Sequence, residues 1–272
     1  VRALIAAFIL LVPLAASSRA EEWQEVKGGH FIIRYLASTP KPAGAEYSGD
    51  ISRFAADVLD SAERYYDRIA PDLGYSRTSE FWTWDKRVKL YIYPDHAAYV
   101  ASSGHPVWSH GMADYGKKEI SSYAFNKSFL TAILPHELAH LIFRDFVGFK
   151  GEVPRWLDEG VAQWEEEGKR PAIRKAVKAL AARNSLLSLA SMMKLNVNAS
   201  GNGDELVAKF YLQSASLVGF LIERHGSDDF AHFCRQLRDG KALEDALSSV
   251  YPLYFRTLGD FEAAWRAYLT EK

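Results

Sequence analysis

The chain has 272 residues, 48% of them hydrophobic and 25% charged, with a formal net charge of −1. That length and apolar content suffice for one or two packed lobes. Neither a basic stripe nor a lysine cluster is present, so a nucleic-acid partner and an anionic membrane surface are both unexpected.

Residues 1–20 read as a signal peptide. Arg2 supplies a short basic region, residues 3–16 are apolar apart from Pro13, and Ser18-Arg19-Ala20 puts small residues at the −3 and −1 positions of a cleavage site. The expectation is export, to a periplasm or beyond the cell; an uncleaved N-terminal anchor is the alternative. No stable membrane span is expected after cleavage, since no later segment supplies the roughly eighteen apolar residues such a helix needs. Cys234 is the lone cysteine, so no internal disulfide is expected and the core must hold the fold.

The run 30–35, after Gly28-Gly29, has the apolar character of a strand. In 51–69, Ile51, Phe54, Ala55, Val58, Ala62, Tyr65 and Ile69 keep helical spacing, with Asp50 as N-cap and Pro71 expected to end the run. Residues 87–93 alternate cleanly, which predicts a half-buried strand stopped by Pro94. Residues 117–124 predict a further strand, placed at a sheet edge by Lys117, Lys118 and Glu119. Beyond residue 151 the pattern is helical, at 156–167, 171–183, 204–224, 227–238, 243–250 and 259–270, with a loop at 196–203. The expected fold class is α+β: a mixed N-terminal lobe over 21–150, then an all-helical lobe over 151–272.

His136-Glu137-Leu138-Ala139-His140 stands near that junction. Residues four apart share a helix face with Cβ atoms about 5–6 Å apart, so the two imidazoles can converge on one cation. HExxH on a helix is the pattern of a zinc site whose intervening Glu acts as general base. Pro135 precedes it directly. A proline deep in a helix costs about 3 kcal/mol, which places Pro135 in or just after the first turn, capped by Thr131 or Ser128; a longer, kinked helix is the alternative.

Eighteen residues separate His140 from Glu159, which lies in Trp156-Leu157-Asp158-Glu159-Gly160-Val161-Ala162. This HExxH-x18-E spacing with W-L-x-E-G-x-A resembles the gluzincin metallopeptidases, in particular the peptidase MA-like family and, more distantly, the aminopeptidase N type. The resemblance implies a zincin-like fold and one zinc per chain held by His136, His140 and Glu159. Glu137 would take a proton from the attacking water and pass it to the leaving amine. It further implies that Gly160, lacking a Cβ, lets the second helix approach the HExxH helix closely. Tyr211 stands where aminopeptidase N relatives carry a tyrosine in a Y-x-K-G context, and as a catalytic phenol it would donate to the developing oxyanion. Here Gln213-Ser214 replaces Lys-Gly, and Tyr211 also fits an apolar stripe with Phe210, Leu217 and Val218.

Gln163 and Asp158 are candidates to orient the ligands. Relatives that recognise a free amine carry G-x-M-E-N, whereas residues 111–115 read Gly-Met-Ala-Asp-Tyr and belong to a sheet edge or its approach. A peptide or protein substrate is implied, with amine recognition unsupported. His96, His105, His110, His225 and His232 show no ligand spacing. Trp82, Trp84 and Trp108 are candidates to line a groove or to pack between lobes. Two functional classes remain at this level: an exported zinc metallopeptidase, and an inactive zincin-fold binding or assembly module of the cell envelope.

Overall fold

Five short strands form one sheet in the order β1-β2-β3-β5-β4: β1 (Trp23–Lys27), β2 (Phe31–Leu36), β3 (Val88–Tyr93), β4 (Met112–Asp114) and β5 (Glu119–Tyr123). The computed structural model describes residues 22–75, 82–103, 107–126, 128–148, 153–166, 168–197 and 203–271. The expected leader, His105 and most of the 196–203 loop lie outside them. β2, β3 and β5 are mutually parallel, while β1 and β4 flank them antiparallel. The register brings Ile33, Leu90, Ile120 and Ala113 level on one face, and all four are buried. Tyr91, Ser121 and Met112 line up on the other.

The expected edge position of β5 is corrected: β4 is the edge, and β5 is hydrogen-bonded on both sides. Lys117 and Lys118 lie in the turn before β5, where their charges are paired with Asp114 and Asp145. Three residues are too few for alternation to announce β4.

The buried face is covered by α1 (Ile51–Asp72), which uses the predicted stripe and is capped by Asp50 accepting from Arg53 N. The helix continues through Pro71, because a proline in the last turn removes only one hydrogen bond. On the opposite face α2 (His96–Ser103), not foreseen from the sequence, packs against β5 and β3.

α3 (Leu134–Val147) carries HExxH and packs beside α1. A π-helical turn, Phe129–Ile133, leads into it, with Leu134 N donating to Phe129 O five residues back. Pro135 has no N–H for the carbonyl one turn earlier, and the chain widens there rather than breaking. The expected side-chain cap from Ser128 or Thr131 is not formed. The backbone before α3 is already helical, with Ile133 at φ −70° and ψ −49°.

Seven helices follow among the described residues: α4 (Arg155–Glu165), α5 (Lys169–Ala182), α6 (Leu189–Lys194), α7 (Asp204–His225), α8 (Ser227–Arg238), α9 (Leu243–Val250) and α10 (Leu258–Thr270). α6 was not expected; α10 opens on a capping box between Thr257 and Asp260. This small sheet followed by a helical remainder is the α+β arrangement expected from the sequence.

α7 is the axis of the helical part, and α4 lies along it in the most extensive helix–helix contact of the described residues. Glycine makes that approach possible. A Cβ on Gly160 would sit 2.5 Å from Ser214 O, and one on Gly219 would sit 2.5 Å from the Trp164 ring. The neighbour that requires Gly160 is therefore α7, not the HExxH helix as the sequence suggested. Gln213, which departs from the aminopeptidase pattern, is buried and ties α7 to Leu187 through that residue's N–H (2.8 Å) and carbonyl (3.1 Å).

By length and composition α7 could cross a membrane, against the sequence expectation of no such helix. Its Phe210, Leu217, Val218 and Leu221 are nevertheless packed inside the protein. The buried apolar residues form one cluster running from Phe31 on the sheet to Leu269 on α10. Cys234 is buried within it, and that burial raises its thiol pKa far above the usual range.

Candidate active site

The i, i+4 spacing on α3 puts His136 and His140 on one face, with their Nε2 atoms 3.2 Å apart. α4 brings Glu159 across, its Oε2 3.9 Å from His136 Nε2 and 3.8 Å from His140 Nε2. One donor atom from each of the three lies within 4.8 Å of the others. Two imidazole nitrogens and one carboxylate oxygen suit zinc, and three protein ligands leave a position for water or substrate. No other group of this kind occurs among the described residues.

The remaining ring nitrogens are engaged from behind. His140 Nδ1 lies 3.0 Å from Asp158 Oδ1, and Asp158 Oδ2 accepts from Arg144 at 2.7 Å. His136 Nδ1 lies 3.2 Å from Glu166 Oε1, and Glu166 is also paired with Lys169. Such carboxylates fix the imidazole so that Nδ1 carries the proton and Nε2 faces the cation. Asp158, foreseen as an orienting residue, is placed to do this. Gln163 makes no hydrogen bond to either histidine or to Glu159; Glu166, not foreseen, occupies that position. α4 ends at Glu165 and the chain turns extended at Glu166, which swings the side chain back towards α3 out of helical register. Helical spacing could not have found it.

Burial pushes the His140 imidazole towards neutrality. Asp158, with Glu137 and Glu159 close by, outweighs burial and lifts its pKa to about 9. For Asp158 the opposite holds: burial raises its pKa, but His140 and Arg144 hold the carboxyl well below its ordinary range. Zinc must displace the His140 proton. Affinity of the metal-free chain for zinc should therefore climb with pH, about tenfold per unit between pH 6 and 8, and flatten near the raised pKa. Competition with a chelator of known proton dependence reads this directly. Asp158→Asn should weaken zinc binding about 10–100-fold and reduce the pH slope above pH 7, both measurable in the same titration.

Glu137 is half-buried and shares a cleft of about 310 Å3 with His136, Trp108, His110 and Ile133. For Tyr211 on α7, burial first and then the Glu159 carboxylate raise the phenol pKa, while Arg155 opposes the change. Tyr115, which the sequence reading did not single out, flanks the site from the β4–β5 turn. Its ring lies 6.1 Å from that of His140 and stacks under the Arg144 guanidinium at 4.2 Å. Burial, then Asp158, Glu137 and Glu159, raise its phenol pKa. Only the sheet topology brings it there, so spacing in the sequence carries no trace of it.

The turn that presents Tyr115 is tied to the back of the HExxH helix. Asp145 Oδ2 on α3 accepts from Lys118 Nζ at 2.7 Å and from Trp82 Nε1 at 2.6 Å. Both donors have left-handed backbones, with φ of 54° at Lys118 and 61° at Trp82. Trp82 is buried among Phe31, Tyr66 and Phe146, so packing is its role. Trp108 instead stands 78% exposed at the cleft, and the Trp84 side chain lies outside what is described. His96 and His110 lie with tilted rings 5.2 Å apart near the cleft without joining the metal group.

Residues 82–271 match the family model described as Peptidase MA superfamily, more than two thirds of the chain and inclusive of every residue of the site. Among solved structures, the chain is similar to the M1 zinc metallopeptidase from Deinococcus radiodurans, at 17% identity and a TM-score of 0.45. That likeness covers 92% of this chain and 53% of the other, so the chain spans about half the length of that protein. No curated protein matches. The chain belongs to the peptidase MA superfamily.

Proposed function

We propose that this protein is an exported zinc metallopeptidase that hydrolyses peptide bonds, with Glu137 as general base and His136, His140 and Glu159 as the ligands of a single zinc. The observation that carries the proposal is the convergence of those three side chains, each histidine backed by its own carboxylate. Zinc, when bound, supplies a Lewis acid that polarises the scissile carbonyl and acidifies water. The chain's own residues supply the rest. Glu137, beside His136 on the cleft lining, accepts the proton of the attacking water and returns it to the leaving nitrogen. Asp158 and Glu166 hold the imidazoles in one tautomer. Tyr211, whose phenol pKa is raised by the Glu159 carboxylate after burial, is the proposed donor to the oxyanion that forms as the carbonyl is attacked. Residues 111–115 supply no Glu for a free amine, which favours cleavage within a chain over removal of its first residue.

The test is to measure zinc per chain and cleavage of a peptide library by the purified protein. About one zinc with cleavage at internal bonds is expected. Zinc bound with every peptide left intact would point instead to the envelope binding module. Export rests on residues 1–20 alone; the mass of the mature protein recovered outside the cytoplasm should place its first residue at Glu21.

A further inference from the structure

The cleft beside Glu137 has a wall that neither the ligands nor the base uses. Trp108 and Val107 are 78% and 75% exposed, two large apolar side chains side by side in water. Trp108 lines the same cleft as Ala132, Ile133, His136 and Glu137. Scattered apolar side chains on a surface need no explanation, but a tryptophan on the lining of a reaction cleft is placed to meet a ligand.

The segment that carries it is firmly seated. Gly111 lies so close to the π-helical turn that a Cβ there would come within 2.4 Å of Ile133 Cγ2. Ser109 Oγ is hydrogen-bonded to Tyr99 Oη at 2.7 Å and its carbonyl lies 2.9 Å from His96 Nε2, while His110 Nδ1 lies 2.9 Å from Tyr123 Oη. The backbone that follows Trp108 is thus held from beneath by α2 and β5, which places the start of the outward side chain on the cleft lining. Charge gives this side of the cleft little selectivity, because Lys169, also on the lining, is already paired with Glu166.

We infer that Trp108, Ile133 and Ala132 form the subsite for a large apolar side chain of the substrate, aromatic or branched aliphatic, next to the scissile bond. The inference rests on the metallopeptidase reading for what is bound, and it names the substrate class of that same site. Filling such a wall discriminates a large apolar residue from alanine by about 10–100-fold.

The test uses the full chain as Glu137→Gln, loaded with zinc so that peptides bind without being cut, and blocked tetrapeptides that differ at one residue: Phe, Leu, Ala or Asp. Calorimetry should show Phe and Leu peptides binding at least tenfold tighter than Ala or Asp peptides. Adding Trp108→Ala should bring that ratio to within about threefold of unity; Trp108 is so exposed that its loss removes little from the core. Equal affinity for all four peptides overturns the subsite, as does an apolar preference that survives Trp108→Ala, or no binding at all. Cleavage by the parent protein is scored separately. Cutting without apolar preference removes the subsite and leaves the peptidase; selective binding without any cutting removes the peptidase and leaves the subsite.

Discussion

Glu137→Gln should reduce peptide hydrolysis by at least about 10²–10⁴-fold, the range that a positioned general base contributes, while zinc content stays that of the parent. The two readouts separate because Glu137 is on the cleft lining but outside the group of three converging donors. The amide is close to the carboxylate in shape, so the fold and the neighbouring histidines have no reason to shift. What changes is chemical: an amide cannot take a proton from water at neutral pH or deliver one to nitrogen. Hydrolysis and metal analysis on the same preparation decide the matter. A variant that kept most of its activity would remove Glu137 from the reaction and leave its place between two ligands unexplained.

Gly160→Val should destabilise the protein by about 3 kcal/mol, the upper end for overpacking a close contact, and lower the melting temperature by roughly 6–12 °C for a chain of this size. Glycine in a helix interior is itself unfavourable by about 1 kcal/mol relative to alanine, so propensity argues for replacement. The contact argues against it and wins, because the atom 2.5 Å from the new Cβ is the Ser214 carbonyl oxygen, part of a helix backbone that cannot swing aside. Gly160→Ala should cost less than valine, its propensity gain offsetting part of the clash. Calorimetric melting of the pair, with and without zinc, reads the effect. Because Glu159 is the preceding residue on the same helix, zinc affinity should fall in the same order. A valine variant as stable as the parent would remove the Ser214 carbonyl as the reason for a glycine at this position.

The parts of the site legible in the sequence are those whose geometry is local. His136 and His140 share a helix face by spacing alone, and Glu159 was placed by a motif whose neighbours carry recognisable residue types. The stripe of α1 and the alternation of β3 were equally plain, since a single periodicity governs each. Where a partner's place depends on how a helix ends or how the sheet closes, the sequence was silent. Glu166 reaches His136 because α4 stops one residue earlier; Tyr115 reaches His140 because a strand of three residues closes the sheet edge. Gly160 was read correctly as a close-approach residue but assigned the wrong neighbour, since a missing Cβ tells that something is near and not what. The cap expected before Pro135 failed for a related reason: a proline signals a disturbed helix, and a π-helical turn satisfies that signal as well as a fresh start does.

Asp145 is a partly exposed acid one turn past the second histidine, and nothing about its type or exposure sets it apart from many others. Yet two backbones in costly left-handed conformations, each worth about 1–2 kcal/mol of unfavourable geometry, hang from one of its oxygens. Trp82, ahead of β3, and Lys118, ahead of β5, are thus moored at a single point on α3. One oxygen that touches none of the three converging donors thus anchors both the turn that carries Tyr115 and the buried Trp82 indole.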